Sequence, residues 1–247
     1  AAKLLDDEFE IWRNRPVSKY LYLILDARYE KVRQDNHVRD SAILVAFGID
    51  EQGKRDVLGV STSLSEAEVH WRNFLESLTS RGLHGLMGIV SDANSGLQAA
   101  LKAVFPSVPW QRCQFHLQQN AQAYIPKLSM KKEVAEDIRA IFNAPSQNEA
   151  ERFLKLAIKK YEPIASKLSQ WMENNIYQGL TVFEFEKKHQ LYLRTTNMAE
   201  RVNREIKRRT KVVSIFPSLE SCQRLITGVL IEIAEQWQTN NAYLSME

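Results

Sequence analysis

The sequence predicts an α/β fold: a mixed five-stranded sheet flanked by helices, with an all-helical insertion before the last helices of the core. Three observations carry this. Short runs rich in β-branched and aromatic residues dominate residues 20–60. Helix-period apolar faces alternate with such runs after residue 65. From Phe115 to about Met172 the pattern is helical, divided by Pro126, Pro145 and Pro163.

Each element follows from its residues. Residues 20–25 (YLYLIL) read as a first strand followed by a polar segment, so that Asp26 ends it. Residues 43–49 and 57–60 read as a second and third strand, joined by the turn signal Asp50-Glu51-Gln52-Gly53 into a hairpin. Ser65 with Glu68 three residues later reads as a capping box opening a helix, whose apolar face is Ala67, Trp71, Phe74, Leu75 and Leu78. Residues 88–90 form a fourth strand closed by Asp92, and a helix with Leu97, Ala100, Leu101 and Val104 on one face follows. Residues 108–113 read as a fifth strand, residues 183–193 are ambiguous, and residues 195–211 and 219–237 read as late helices. Short turns make the early strands antiparallel, while helical crossovers favour parallel additions. The result is a ribonuclease H-like arrangement. Residues 1–116 and 191–247 would form the core and residues 117–190 the helical insertion.

The composition admits such a core. The 247 residues are 44% hydrophobic and 26% charged, values ordinary for a globular chain. No apolar run approaches the roughly 18 residues of a membrane-spanning helix. Two cysteines, Cys113 and Cys222, make no disulfide framework, so a reducing, intracellular compartment is expected. The chain opens on Ala1 and a polar stretch, with no signal peptide, and reads as a piece of a longer protein. The net charge is only +3, but residues 201–211 set six cations against Glu205 alone, a local +5 that leaves −2 elsewhere. Such a cluster is an electrostatic footprint for nucleic acid.

Three carboxylates stand where chemistry would need them. Asp26 and Asp92 end two strands, and sites in such sheets gather at the carboxyl ends of strands; Glu200 lies on a late helix. Clustered carboxylates repel unless divalent cations lie between them. Mg2+ or Mn2+ prefers oxygen ligands, and two such ions serve in-line displacement at phosphorus. Each residue also has an ordinary reading: Asp26 as a turn former, Asp92 as a helix N-cap, Glu200 as a solvated surface residue. On the helix around Glu200, Asn203, Arg204, Lys207 and Lys211 share its face, while Ala199, Val202 and Ile206 form the packing face. Cys113 and His116 make a C-x-x-H pair without a second pair at zinc spacing, so a supporting or packing role is expected. The remaining histidines are isolated, and no Gly-rich phosphate loop occurs.

Three stretches carry a resemblance: YLILDARYEKVR (residues 22–33), GIVSDANSGLQAALKAVFPSVPWQRCQFH (88–116) and TTNMAERVNREIKRRTKVVSIFP (195–217), with a weaker DDEFEIWRNRP at the start. The chain resembles the mutator-type transposases of bacterial insertion sequences over nearly its whole length. The resemblance implies a ribonuclease H-like fold with a helical insertion and an acidic triad, whose members fall on Asp26, Asp92 and Glu200; the family's C-or-D-x-x-H signature falls on Cys113 and His116. Two departures lie outside the triad: Asp35-Asn36-His37-Val38 replaces the more usual D-G-x-V, and Ser214 stands where glycine is common.

The expected function is therefore the catalytic core of a DNA transposase. It would cleave at a transposon end and join the freed 3′-hydroxyl to target DNA with two Mg2+ or Mn2+ ions. Arg204, Lys207, Arg208 and Lys211 would contact DNA phosphates, giving affinity without sequence specificity, and Asn203, Cys113 and His116 would support the site. The resemblance further implies a DNA-binding region upstream of this core, a homodimer joining two ends, and a bacterial cytoplasmic setting. The alternatives are a hydrolytic nuclease of the same fold and a truncated or domesticated DNA-binding protein.

Overall fold

The computed structural model describes residues 2–246. Its five-stranded mixed sheet has the order β3-β2-β1-β4-β5, with β1 Tyr22–Gln34, β2 His37–Ile49, β3 Arg55–Ser63, β4 Gly88–Ser91 and β5 Trp110–Arg112. The fold is α/β and ribonuclease H-like, as the sequence predicts.

β1 and β2 form a long antiparallel ribbon, in register from Tyr22↔Ile49 to Gln34↔His37. The first strand thus runs nine residues past the expected end at Leu25, and Asp26 lies inside it. The reason is physical. Beyond Leu25 only Val32 is buried, so the second half has little apolar signal; ladder hydrogen bonds and a two-residue turn carry it instead. Asp35 and Asn36 both take positive φ, 47° and 62°, as a type I′ hairpin turn requires. β2 is buried continuously from Ser41 to Ile49. It turns into β3 over Asp50, whose Oδ1 accepts from the Gln52 and Lys54 amides at 2.9 and 2.8 Å.

By its packing the chain divides into two units. The first comprises residues 1–89, 93–108 and 196–247. Here α2 (Glu68–Ser80) buries Trp71, Phe74, Leu75 and Leu78, and α3 (Ser95–Val104) buries Leu97, Ala100 and Leu101. The expected capping box at Ser65 does not form. The helix is capped at Ala67 without a side-chain bond, Ser65 Oγ accepts from the Ala67 amide at 3.3 Å, and Glu68 pairs with Arg72 one turn on. The start of the chain is helical, α1 (Ala2–Asn14), which the polar sequence did not suggest. It is tied to α10 (Leu219–Thr239) by Arg224–Asp6 at 2.5 Å and by Arg13 Nη1 donating to Thr227 Oγ1 at 3.4 Å. α9 (Asn197–Thr210) packs against α10 and β1.

The second unit comprises residues 90–92 and 109–195. After β5 it is helical: α4 (Gln114–Ala121), α5 (Lys131–Phe142), α6 (Gln147–Tyr161), α7 (Ser166–Asn175) and α8 (Lys187–Leu193), with short 3-10 turns between. Leu117, Val134, Ile138, Leu154, Tyr161 and Met172 lie in its own core. Tyr161 Oη donates to Asp137 at 2.6 Å and Lys160 bridges Glu133 and Asp137, fastening α5 to α6. Among the described residues, 117–190 contain no strand. No helix among the described residues is long and apolar enough to cross a membrane.

Candidate active site

The first group of candidate residues lies in the first unit, where α9 meets β1. α9 is amphipathic by its spacing: Met198, Ala199, Val202, Ile206 and Thr210 are buried, while Arg201, Arg204, Lys207 and Arg208 are exposed. Its buried face brings Asn203 to the strand. Asn203 Nδ2 donates to Asp26 Oδ2 at 2.6 Å, and Asp26 Oδ1 accepts from the Ala27 amide at 3.0 Å. Asp26 is therefore a strand-interior carboxylate that accepts from Asn203 and the Ala27 amide, not a turn former. Glu200 precedes Asn203 by three residues, a spacing that puts both on one face of the helix.

Sequence reasoning missed the residues that fix this contact. Arg28 Nη1 donates to the Asn203 carbonyl at 2.6 Å, and Arg28 ion-pairs with Glu30. Glu30 in turn accepts from Thr210 Oγ1 at 2.9 Å, in the last turn of α9. Two points on β1 thus grip two points on the helix. The signal was present in the alternation of Asp26, Arg28 and Glu30, which a strand carries on one face, but the strand's length was not recognised. Cys222 packs beside Glu30, and burial pushes its thiol up to about 12, so it is an inert packing group.

The four cations expected to meet DNA are exposed but not equivalent. Arg208 ion-pairs with Glu205 at 2.6 Å. Arg209 reaches both Glu205, at 3.2 Å, and Glu232, at 2.9 Å. The hydrogen bond from Arg208 holds the Glu205 carboxyl below its usual range. Among the described residues, Arg204, Lys207 and Lys211 have no such ion pair.

The second group lies in the second unit. Asp92 follows β4 directly. It does not cap the next helix: Asn94 does, accepting from the Gly96 and Leu97 amides at 2.9 and 3.1 Å. His116 Nδ1 stands 3.9 Å from Asp92 Oδ1. Cys113, fully buried, offers its sulfur within 4.8 Å of a His116 ring nitrogen. Ser91, also unforeseen, holds the local backbone: its Oγ donates to the Asp92 carbonyl and accepts from Trp110 Nε1, both at 2.8 Å, and its carbonyl accepts from the Cys113 amide at 2.8 Å.

The structure thus joins Asn203 to Asp26 in one unit, and His116 and Cys113 to Asp92's neighbourhood in the other. The donor chemistry of the carboxylates suits a hard divalent cation. An oxygen that accepts one N–H retains a second lone pair, so the Asn203 and Ala27 bonds are compatible with ligation by Asp26. Cys113 and His116 are two softer donors, short of the four a structural zinc takes.

Comparison with known proteins agrees with these motifs. The model of the family "Transposase, Mutator family" matches residues 1–240. The chain is 52% identical over 245 residues to the transposase for insertion sequence element IS406 of Burkholderia multivorans, covering 99% of this chain and 63% of that protein. It is 39% identical over 246 residues to the transposase for ISRM5 of Rhizobium meliloti, covering 99% and 62%. It is 34% identical over 230 residues to the transposase for IS256 in transposon Tn4001 of Staphylococcus aureus, covering 92% and 58%. The chain therefore spans about three fifths of these relatives, whose shares are 63, 62 and 58%. With residues 1–240 of its 247 matched, the chain belongs to the Mutator family of transposases.

Proposed function

We propose that this chain is the catalytic core of an insertion-sequence transposase, cleaving a DNA strand at a transposon end and joining the freed 3′-hydroxyl to target DNA. The observation that carries the reading is the seat of Asp26: a carboxylate inside the sheet, gripped by Asn203 from the helix that also bears Glu200. Asp26, Asp92 and Glu200 are the three carboxylates of the site, with residues 117–190 as an insertion between the second and third. They would hold two Mg2+ or Mn2+ ions, which supply activation of the attacking hydroxyl and stabilisation of the leaving oxygen at phosphorus.

The chain's own residues prepare that chemistry. Asn203 fixes the rotamer of Asp26, so the carboxylate need not be ordered at the moment of reaction. Arg28 and Glu30 hold α9 against β1 and so fix the backbone from which Glu200 projects. Ser91 sets the backbone of Asp92, and His116, 3.9 Å from that carboxylate, orients it. Lys207, Lys211 and Arg204, with Arg208 beside them, hold phosphates and give affinity without sequence preference. The active complex is a homodimer joining two transposon ends, acting on DNA in the bacterial cytoplasm.

Glu200→Gln tests the reading. In the full-length enzyme it should lower Mg2+-dependent strand cleavage by about 100-fold or more, since an amide is a poor ligand and the developing charge goes unstabilised. Folding and duplex affinity should persist. A well-folded variant that cleaves normally would remove Glu200 from the site, and Glu205 would be examined next. A strand-transfer assay separates joining from hydrolysis alone.

A further inference from the structure

The turn after α9 projects three branched apolar side chains into solvent. Val212 is 87% exposed, Ile215 40% and Val213 38%. Scattered exposed apolar residues are ordinary, but three within four residues form a patch that wants a partner.

The turn is also held in shape. The Val213 and Ser214 amides donate to the Thr210 carbonyl at 3.0 and 3.3 Å, and the Ile215 amide to the Val213 carbonyl at 2.7 Å. Ser214 takes φ 61°, in the left-handed region that favours glycine. The far end is pinned by buried Phe216, which bridges to Val32 of β1. The Phe216 amide donates to the Lys31 carbonyl, and its carbonyl accepts from the Arg33 amide, both at 2.8 Å. A rigid base therefore supports an apolar tip.

Cations surround that base. Lys207 and Lys211 lead into the turn, and Lys31 and Arg33 flank the Phe216 bridge; all four are exposed. Two nearby carboxylates are already engaged, Glu30 by Arg28 and Glu205 by Arg208 and Arg209. An apolar point ringed by cations matches the duplex: phosphates meet the cations, and branched side chains fit an opened base step.

We propose that residues 212–215 form a wedge that inserts at a base step of bound duplex DNA and unstacks it. This rests on the DNA-acting reading above, and it adds a deformation step that the three carboxylates do not perform.

The test titrates this chain with two duplexes of equal length at fixed salt, one fully matched and one with a single central mismatch that is already partly unstacked. 2-Aminopurine beside the step reports unstacking. The mismatched duplex should bind about tenfold tighter, because part of the unstacking cost is already met. In the triple variant Val212→Ser, Val213→Ser, Ile215→Ser the preference should fall to about twofold or less, and the 2-aminopurine signal should vanish. Its affinity for the matched duplex should stay within about threefold, since the cations remain. Val212→Ser alone, at the most exposed position, should shift both readouts in the same direction and guards against misfolding of the triple variant. A folded triple variant that keeps the preference overturns the wedge. So does a wild-type chain that binds both duplexes equally, and this would leave the DNA reading standing. Failure to bind either duplex overturns both. A variant that keeps the preference but loses self-association would make the tip a contact between copies, again overturning the wedge.

Discussion

The two strand-borne aspartates are seated in different ways. Asp26 lies inside a 13-residue strand and is held by a side chain 177 positions away in sequence, on α9. Asp92 follows a four-residue strand and is fixed through its own backbone by its neighbour Ser91. The first seat depends on tertiary packing, so whatever shifts α9 disturbs it. The second includes a neighbouring hydroxyl that joins β4 to β5 through Trp110, with His116 Nδ1 3.9 Å from the carboxylate. Two carboxylates proposed to share one task thus have different named supports, Asn203 for one and Ser91 for the other, which can be removed one at a time.

The largest expected effect erases that difference. Asp26→Asn and Asp92→Asn should each lower Mg2+-dependent cleavage in the full-length enzyme by about 100-fold or more, because both lose a charged oxygen ligand. The comparison reappears in thermal unfolding. Asp26→Asn changes a charge-assisted bond with Asn203 and should shift stability by about 1–2 kcal/mol. Asp92→Asn, at a 47% exposed side chain, should stay within about 0.5 kcal/mol. Equal and large destabilisation by both would show that Asp92 is held as firmly as Asp26.

The supports come next. Ser91→Ala deprives the Trp110 indole N–H of its acceptor at a fully buried hydroxyl and should cost about 1–3 kcal/mol in urea unfolding. Asn203→Ala should cost about 1–2 kcal/mol and slow cleavage about tenfold while leaving duplex affinity unchanged, since it removes a neutral donor and no cation. If Asn203→Ala weakened DNA binding as strongly as cleavage, Asn203 would belong to the DNA surface and not to the Asp26 seat.

What the sequence made legible follows the same division. Elements whose burial is one-sided and periodic were readable: α2, α3 and the buried face of α9, where Ala199, Val202 and Ile206 pack as expected. The second half of β2 was readable because residues 41–49 are buried continuously; its exposed start, residues 37–40, was not. The second half of β1 was not, because its ladder and turn hold it without an apolar stripe. α1 was hidden by its polar composition; tertiary ties such as Arg224–Asp6 hold it in place. Of the candidate site, strand ends and helix placement singled out Asp26, Asp92 and Glu200, and the family resemblance made them a triad. Of their supports, Arg28 and Glu30 left only the strand alternation with Asp26 as a trace, because their partners on α9 lie 175 and 180 positions away, and Ser91 acts through a backbone carbonyl and an indole 19 positions on, which no motif marks. The ordinary reading of Asp92 as a cap failed for a local reason: Asn94 lies two residues nearer the helix and takes that role.

The smallest effect sharpens a second contrast, between cations on one helix. Lys207 and Arg208 are neighbours and both exposed, yet Arg208 already holds Glu205 at 2.6 Å. A cation that neutralises a phosphate releases about one counterion, and each such contact adds about 0.9 to the slope of log K against log salt. Arg208 must first give up part of its ion pair, so its net contribution to phosphate binding is smaller. Lys207→Gln should therefore reduce the salt slope of duplex binding by about one, and Lys211→Gln likewise. Arg208→Gln should reduce it by about half as much, because Glu205, released from one partner, still has Arg209 at 3.2 Å to compensate its charge. Glu205→Gln gives the converse: it frees Arg208 and should raise affinity about two- to threefold at low salt, fading as the Debye length shortens. Duplex titrations at four or more salt concentrations measure all of these. Equal slopes for Lys207→Gln and Arg208→Gln would show that DNA displaces Glu205 completely, making the Arg208–Glu205 pair a feature of the DNA-free protein alone.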